Sequence, residues 1–299
     1  MRVVPAQDLR RGPTRVVRPR TSTPAVTLVV PTLNEERNLP WVLARVPDEV
    51  SEIIVVDGRS TDATVDVALA ADDRVRVVLE RRRGKGAALL AGFAAAHGDV
   101  IVAIDADGSM DPAELPLFVS ALVRGYDFVK GSRVAVGGDS EDFSVIRRIG
   151  SGVLTFVANR MYGLRWSDMC YGYFAFWADV LPTIGIEHDQ LTTRAVGEAL
   201  AAEGGRPRRF GVLHAEQWEL PYGDGFEIEA ALFLRCARAQ KLIAEVPSVE
   251  LPRQSGVSNL HPVQDGWRVL TAILRERGRR RRPLPVPIGR GDVLARTVA

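Results

Sequence analysis

The chain has 299 residues, 46% apolar and 25% charged, an ordinary globular balance with room for one large domain or two small ones. No run approaches the roughly 20 apolar residues that span a bilayer, no leader-like start is present, and Cys170 and Cys236 have neither metal-ligand nor disulfide-framework spacing, so a cytoplasmic protein is expected. The net charge of +2 is uneven: residues 1–24 carry +5 and residues 275–299 carry +6, leaving −9 for residues 25–274, an acidic body that excludes nucleic acid as partner.

In chain order, residues 1–24, with four prolines and six arginines, read as a disordered, loosely attached basic arm. A strand is predicted at about 26–30. Asn34 then caps a helix with Glu35 and Glu36 in its first turn, an apolar face of Leu39, Val42, Leu43 and Val46, and a stop at Pro47. Strands at 52–56, 75–79 and 99–104 alternate with helices at 61–71 and 85–96. Asp111, Pro112 and Glu114 supply the cap, first-turn proline and capping-box acid of a further helix that ends at Gly125. A strand at 126–130 completes a βαβ series, which specifies an α/β fold with a mostly parallel sheet. Beyond Gly131 the period weakens. Helices are predicted at 144–162, 190–203 and 226–241, a strand at 246–251, and a helical face of Trp267, Leu270, Thr271 and Leu274 before a block of arginines.

The charged signals fall where the apolar strands end, the edge at which open α/β sheets bind ligands. Asp105 and Asp107 form a D-x-D whose carboxylates can project to one side and hold Mg²⁺ or Mn²⁺ against a diphosphate; a solvated turn is the other reading. Gly84-Lys85-Gly86 lets backbone N–H groups and a point charge approach phosphate, or is a basic turn continuing Arg81–Arg83. Only three lysines occur against 36 arginines. Asp57 can accept the ring N–H of a nucleobase or close its own turn. Walker-loop spacing is absent.

These motifs, Val30-Pro31-Thr32-Leu33-Asn34-Glu35, Val56-Asp57-Gly58-Arg59-Ser60-Thr61-Asp62, Gly84-Lys85-Gly86, Asp105-Ala106-Asp107-Gly108 and Gly131-Ser132-Arg133, resemble family 2 glycosyltransferases in order and spacing. Within that family the chain is most similar to the dolichol- or polyprenyl-phosphate mannosyl- and glucosyltransferases. Downstream, Asp168 to Phe176, Gly223 to Glu229 and the R-x-x-G-x-S of Arg253 to Ser258 also fit. The resemblance implies a GT-A fold spanning residues 25–274, with a nucleotide-sugar half at about 25–133 and an acceptor half at about 134–274, followed by the Arg-rich tail 275–299. It implies a nucleoside-diphosphate sugar donor, GDP-mannose or UDP-glucose, bound by Pro31, Asn34, Glu35, Asp57, Lys85 and Asp105. Asp105 and Asp107 would hold the metal, and Arg133, Arg253 and Ser258 the acceptor phosphate.

The family usually has Asp-Asp-Gly-Ser where this chain has Asp57-Gly58-Arg59-Ser60, and residues 187–220, with His188, His214 and Trp218, have no counterpart. The resulting expectation is an inverting, metal-dependent hexosyltransferase acting on a polyprenyl phosphate, with Asp107, Lys85, Asp168 and Glu227 as catalytic candidates. Transfer to a hydroxyl of a small-molecule acceptor would need Asp168, Asp224 or Glu227 as a base. A sugar-phosphate nucleotidyltransferase and a nonenzymatic anionic-surface module are the other classes; the first wants a Gly-rich loop after the first strand, and the second leaves the ordered motifs unused. The basic ends and the Trp267 face allow peripheral contact with a membrane.

Overall fold

The computed structural model describes residues 4–5, 20–141, 143–185, 210–213, 225–256 and 261–278. Its strands are β1 (Val4–Pro5), β2 (Val26–Thr32), β3 (Val50–Asp57), β4 (Val75–Glu80), β5 (Val100–Ala103), β6 (Phe128–Ser132), β7 (Asp139–Ser140), β8 (Phe174–Trp177), β9 (Phe210–Leu213), β10 (Ile243–Pro247) and β11 (Val249–Glu250). The helices are α1 (Leu39–Leu43), α2 (Thr64–Ala71), α3 (Lys85–Ala95), α4 (Leu115–Val123), α5 (Val145–Tyr162), α6 (Leu181–Ile184), α7 (Glu227–Arg238) and α8 (Pro262–Gly278).

Among the described residues the main sheet runs β1-β10-β6-β8-β5-β2-β3-β4-β9, and β7 pairs with β11 apart from it. β2 pairs parallel with β3 and β5, β3 with β4, β4 with β9, and β6 with β10. The central strands are buried on both faces, as in Leu28, Val29, Val30, Ile53, Ile54 and Val55, each fully enclosed. That is why they read as unbroken apolar runs rather than alternating ones.

β8 departs from the βαβ series: it inserts antiparallel between β5 and β6. Its Phe174 and Phe176, two residues apart and therefore on one face, pack with Phe93 of α3, Phe128 of β6 and Phe233 of α7. This aromatic cluster joins the βαβ series up to β6 with β8 and α7 in one core.

Two sequence expectations about helix starts change. Asn34 is not a cap; it takes a left-handed conformation at φ 58°, which Asn tolerates, and α1 begins only after Asn38. The Asn34 N–H donates to Ser60 Oγ at 2.8 Å, and its Oδ1 accepts from the Thr61 N–H at 2.8 Å, so its polar groups stitch the β2–α1 loop to the β3–α2 loop. Asp111 does cap, accepting from the Ala113 N–H, but Glu114 does not close the box. It accepts from the Val249 N–H at 3.0 Å and from the Ser248 hydroxyl, anchoring β11 instead. The basic arm also has fixed points: Val4–Pro5 pairs with β10, and Arg20 bonds Asp127 and Asp179, each at 2.9 Å, over the Trp177 ring.

α3 lies on β2 and β3 through Gly92. A Cβ there would stand 2.3 Å from Val29 Cγ1 and 3.0 Å from Val56 Cγ2, side chains locked in the central strands. Gly92→Ala gains about 1 kcal/mol of helix propensity but forces overpacking that costs about 1–3 kcal/mol. The expected outcome is a lower urea midpoint with an unchanged slope; a stabilised variant would show that α3 does not pack this closely.

Candidate active site

β2 has β3 on one side and β5 on the other, so the chain leaves it in opposite directions and a crevice opens at the carboxyl ends. Thr32 to Glu35, Asp57, Lys85 and Asp105 to Asp107 all follow the ends of these strands or of β4. The structure brings Lys85 to Asp105, and Glu35 to Asp107 through a shared partner, Arg253.

At the centre, Lys85 Nζ lies 2.5 Å from Asp105 Oδ1 and 2.7 Å from Glu229 Oε1. Gly84, at φ 111°, supplies the turn that starts α3 with Lys85 at its first position. Burial opposes the ammonium charge, yet Asp105 and Glu229 together raise the Lys85 pKa above its ordinary value. Glu229 is itself pushed up by burial and by Asp105, offset in part by Lys85. One cation is thus shared by two carboxylates. Glu229 was not singled out in the sequence, where Glu227 stood for this segment. Glu227 lies at the start of α7, with Oε1 accepting weakly from the Gly225 N–H and Oε2 buried without a hydrogen-bond partner.

Asp107 is organised differently. Its Oδ1 accepts from the Ser109 N–H and hydroxyl at 2.9 and 2.7 Å, and its Oδ2 lies 3.0 Å from Arg253 Nη2. The other prong of Arg253 reaches Glu35 Oε1 at 3.2 Å. Glu35 is buried, which raises its pKa, although Asn38 and Arg253 pull the other way. Asn34, Glu35 and Arg253 line a cavity of about 320 Å³ beside the crevice. Pro31 and Asp57 do not line it; the Asp57 carboxylate accepts from the backbone N–H groups of Arg59 and Ser60 at 3.0 and 3.1 Å, closing the turn in which Arg59 takes φ 73°.

Asp105 and Asp107 keep 26% and 15% side-chain exposure, open enough for a divalent cation, which would share their carboxylates with Lys85 and Arg253. Among the described residues no third acid, cysteine or histidine joins them. Diphosphate oxygens and water would complete the shell, as Mg²⁺ prefers.

A second cavity, of about 340 Å³, opens from the same centre. Lys85, Asp105 and Arg133 form its polar end, and Phe143, Ile146 and Leu154 belong to its apolar wall. Arg133 is almost wholly buried. Its Nε lies 2.7 Å from Asp168 Oδ2 and its Nη1 3.2 Å from Glu250 Oε1, while its guanidinium lies 4.0 Å from the centre of the Phe143 ring. Burial would lift the Asp168 carboxyl, but Arg133 holds it below the usual range. Asp168 also accepts from the Cys170 N–H, so it stands as an anchor for Arg133 and not as a free base. Arg133 and Arg253 line different cavities, and Ser258, with Asp224, His188, His214 and Trp218, lies outside the described residues.

A mostly parallel sheet flanked by helices, with a D-x-D at the end of β5 facing the crevice, is the GT-A fold of nucleotide-sugar glycosyltransferases. The chain belongs to glycosyltransferase family 2: the "Glycosyl transferase family 2" model matches residues 27–185. An undecaprenyl-phosphate mannosyltransferase of Micrococcus luteus is 34% identical over 244 residues, covering 79% of this chain and 87% of that one. An uncharacterised glycosyltransferase of Mycobacterium tuberculosis is 48% identical over 114 residues, 38% of this chain; the chain spans about half, 51%, of that relative's length. Among solved structures, glucosyl-3-phosphoglycerate synthase from Mycobacterium tuberculosis, in complex with Mn²⁺, UDP and glucosyl-3-phosphoglycerate, superposes with a TM-score of 0.60 at 21% identity, over 87% of this chain and 86% of that one. That likeness concerns the fold.

Removing one partner of the Arg133–Asp168 pair leaves a buried charge uncompensated, at a cost of about 3–5 kcal/mol. Asp168→Asn is therefore expected to lose most of the protein's stability in urea, whereas Asp107→Ala, at the more open site, is expected to unfold near the parent midpoint. Because the native pKa of Asp168 is depressed, the pair's contribution is complete above the ordinary Asp range and fades as pH falls toward the depressed value. Equal midpoints for Asp168→Asn and the parent would remove Asp168 as the anchor.

Proposed function

We propose that this glycosyltransferase moves a hexose, mannose or glucose, from a nucleoside-diphosphate sugar to a polyprenyl phosphate with inversion at the anomeric carbon. The observation that carries this reading is the 340 Å³ cavity, polar where it meets the crevice, with Lys85, Arg133 and Arg147 set among Asp105, Glu229 and Glu250, and apolar along much of its wall. A phosphate head with a hydrocarbon chain matches that polarity. The Micrococcus luteus relative, by its name, uses such an acceptor.

In this reading Pro31 near the end of β2, with Asn34 and Glu35 of the β2–α1 loop, lies along the nucleoside, and Asp57 reads the base with whatever capacity its turn leaves. Lys85 stands where charge develops on the departing diphosphate, in a low-dielectric setting that strengthens its effect. A divalent ion, Mg²⁺ or Mn²⁺, held by Asp105 and Asp107 supplies further charge neutralisation for the diphosphate. A phosphate oxygen of the acceptor forms the new bond to the anomeric carbon as the bond to the diphosphate oxygen breaks, and the nucleoside diphosphate leaves with the electron pair. The attacking oxygen is already anionic, so no proton need be removed. This fits a site in which Asp168 is committed to Arg133 and Glu229 to Lys85.

Arg133 and Lys85 serve the acceptor phosphate from the cavity side. Arg253, bonded to Glu35 and Asp107, approaches from the donor side, and Ser258 follows it in the same motif. Orientation of the two phosphate groups, rather than base catalysis, then supplies most of the acceleration.

The test is product formation by the purified chain with Mn²⁺, using GDP-mannose and UDP-glucose against a short-chain polyprenyl phosphate and the matching alcohol. Glycosylation of the phosphate alone is expected; use of the alcohol with refusal of the phosphate would transfer the reading to a hydroxyl acceptor. Asp107→Ala is expected to reduce turnover by roughly 10²-fold or more, equivalent to about 3 kcal/mol, and excess EDTA to abolish it; full activity in EDTA would refute the metal's part. Asp57→Ala is expected to weaken nucleoside-diphosphate binding by about 1–3 kcal/mol, and unchanged affinity by calorimetry would remove Asp57 from the donor site.

A further inference from the structure

The apolar side chains left exposed are not scattered. Among the described residues, eight of the twelve large exposed hydrophobics belong to two helices: Val145, Ile146, Ile149, Val153 and Phe156 on α5, and Val263, Trp267 and Leu274 on α8. Their exposures run from 53% for Leu274 to 86% for Val263. The two helices pack against each other, and the Tyr162 hydroxyl of α5 donates to the Ile273 carbonyl of α8 at 2.6 Å. They therefore present one rigid apolar surface.

The charge on that surface has a single sign. α5 contains no acid, and its exposed charges are Arg148 and Arg160. The two acids of α8, Asp265 and Glu276, are buried, at 5% and 1% exposure, while Arg268, Arg275 and Arg277 are exposed. In sequence, Arg279 to Arg282 follow directly. A second copy docked by two-fold symmetry would set arginine against arginine. An anionic lipid surface instead matches both the apolar area and the uniform positive charge, as in helices that lie in the interfacial plane.

The same two helices form the mouth of the larger cavity, through Ile146 and Gly150 of α5 and Val263 and Gly266 of α8. From these juxtaposed features we infer that the α5–α8 surface seats the protein on an anionic bilayer and that an acceptor lipid's chain runs between the two helices, from the membrane to the polar end at Lys85 and Arg133. The second half of this inference rests on the proposed polyprenyl-phosphate acceptor; the first half does not.

The test uses the full chain, with flotation on vesicles of phosphatidylcholine alone and of phosphatidylcholine with phosphatidylglycerol, together with sugar-transfer assays. Ile149→Asp/Phe156→Asp changes two exposed α5 residues that do not line the cavity. The parent is expected to float with the anionic vesicles only and to be released by salt. The double variant is expected to bind roughly tenfold or more weakly, to lose transfer to vesicle-borne polyprenyl phosphate, and to keep the parent rate on a water-soluble short-chain phosphate. Retained short-chain activity also shows that the variant is folded. Equal flotation of parent and variant would overturn the seating surface and assign any membrane affinity to the basic ends. Failure of the parent to float, with a dimer in sedimentation that the double variant breaks, would overturn it in favour of a second copy. If the parent floats as expected but glycosylates no polyprenyl phosphate, soluble or vesicle-borne, the seating surface stands while the lipid path and the proposed acceptor fall together.

Discussion

The Lys85 ammonium, 2.5 Å from Asp105 and 2.7 Å from Glu229, is the contact on which the site's construction depends. It begins α3, neutralises the first acid of the D-x-D after β5, and reaches across to α7, so three elements separated by up to 144 residues meet at one nitrogen. Without that cation the part-exposed Asp105 and the buried Glu229 would face each other as like charges. The same group stands at the crevice beyond the strand ends and lines the polar end of the larger cavity. In the proposed reaction, donor and acceptor would share this one fixed charge.

Around that centre, further cations among the described residues are paired with acids. Arg133 is held by Asp168 and Glu250, Lys130 by Glu245, and Arg253 by Glu35 and Asp107. The acidic body inferred from charge counting thus supplies the partners of these cations. Pairs such as Arg133–Asp168 cost desolvation that their attraction offsets only with good geometry; here the two-pronged contact and the aromatic faces of Phe143 and Tyr171 supply it. The Arg253 pairs are less enclosed, with the guanidinium side chain at 20% exposure, as an exchange of partners in the proposed reaction would need.

The α/β alternation up to β6 was legible because buried parallel strands are unbroken apolar runs and the chemistry follows their ends. Local signals could reveal Asp105, Asp107 and Lys85 for that reason. They could not reveal β8, whose antiparallel place between β5 and β6 is fixed by packing of Phe174 and Phe176 against residues from three other elements. Asn34 reads as a cap from sequence, yet its loop partners lie 26 and 27 residues away, and those bonds decide its conformation. Glu229 was hidden in a Glu-Ile-Glu run that looks like ordinary acidic enrichment at a helix start; only the tertiary contact with Lys85 separates it from Glu227. In the same way, the commitment of Asp168 to Arg133 joins residues 35 apart and has no local signature.

The claim at the centre is that Asp105 and Asp107 hold a divalent ion jointly with the diphosphate of the donor. Electron paramagnetic resonance of Mn²⁺, titrated into the protein with and without UDP or GDP, reads this directly. The account requires weak uptake by the protein alone, tight uptake when the correct nucleoside diphosphate is present, and loss of that tight uptake in Asp105→Asn/Asp107→Asn. Tight uptake that persists in the double variant, or that ignores both nucleotides, would contradict it.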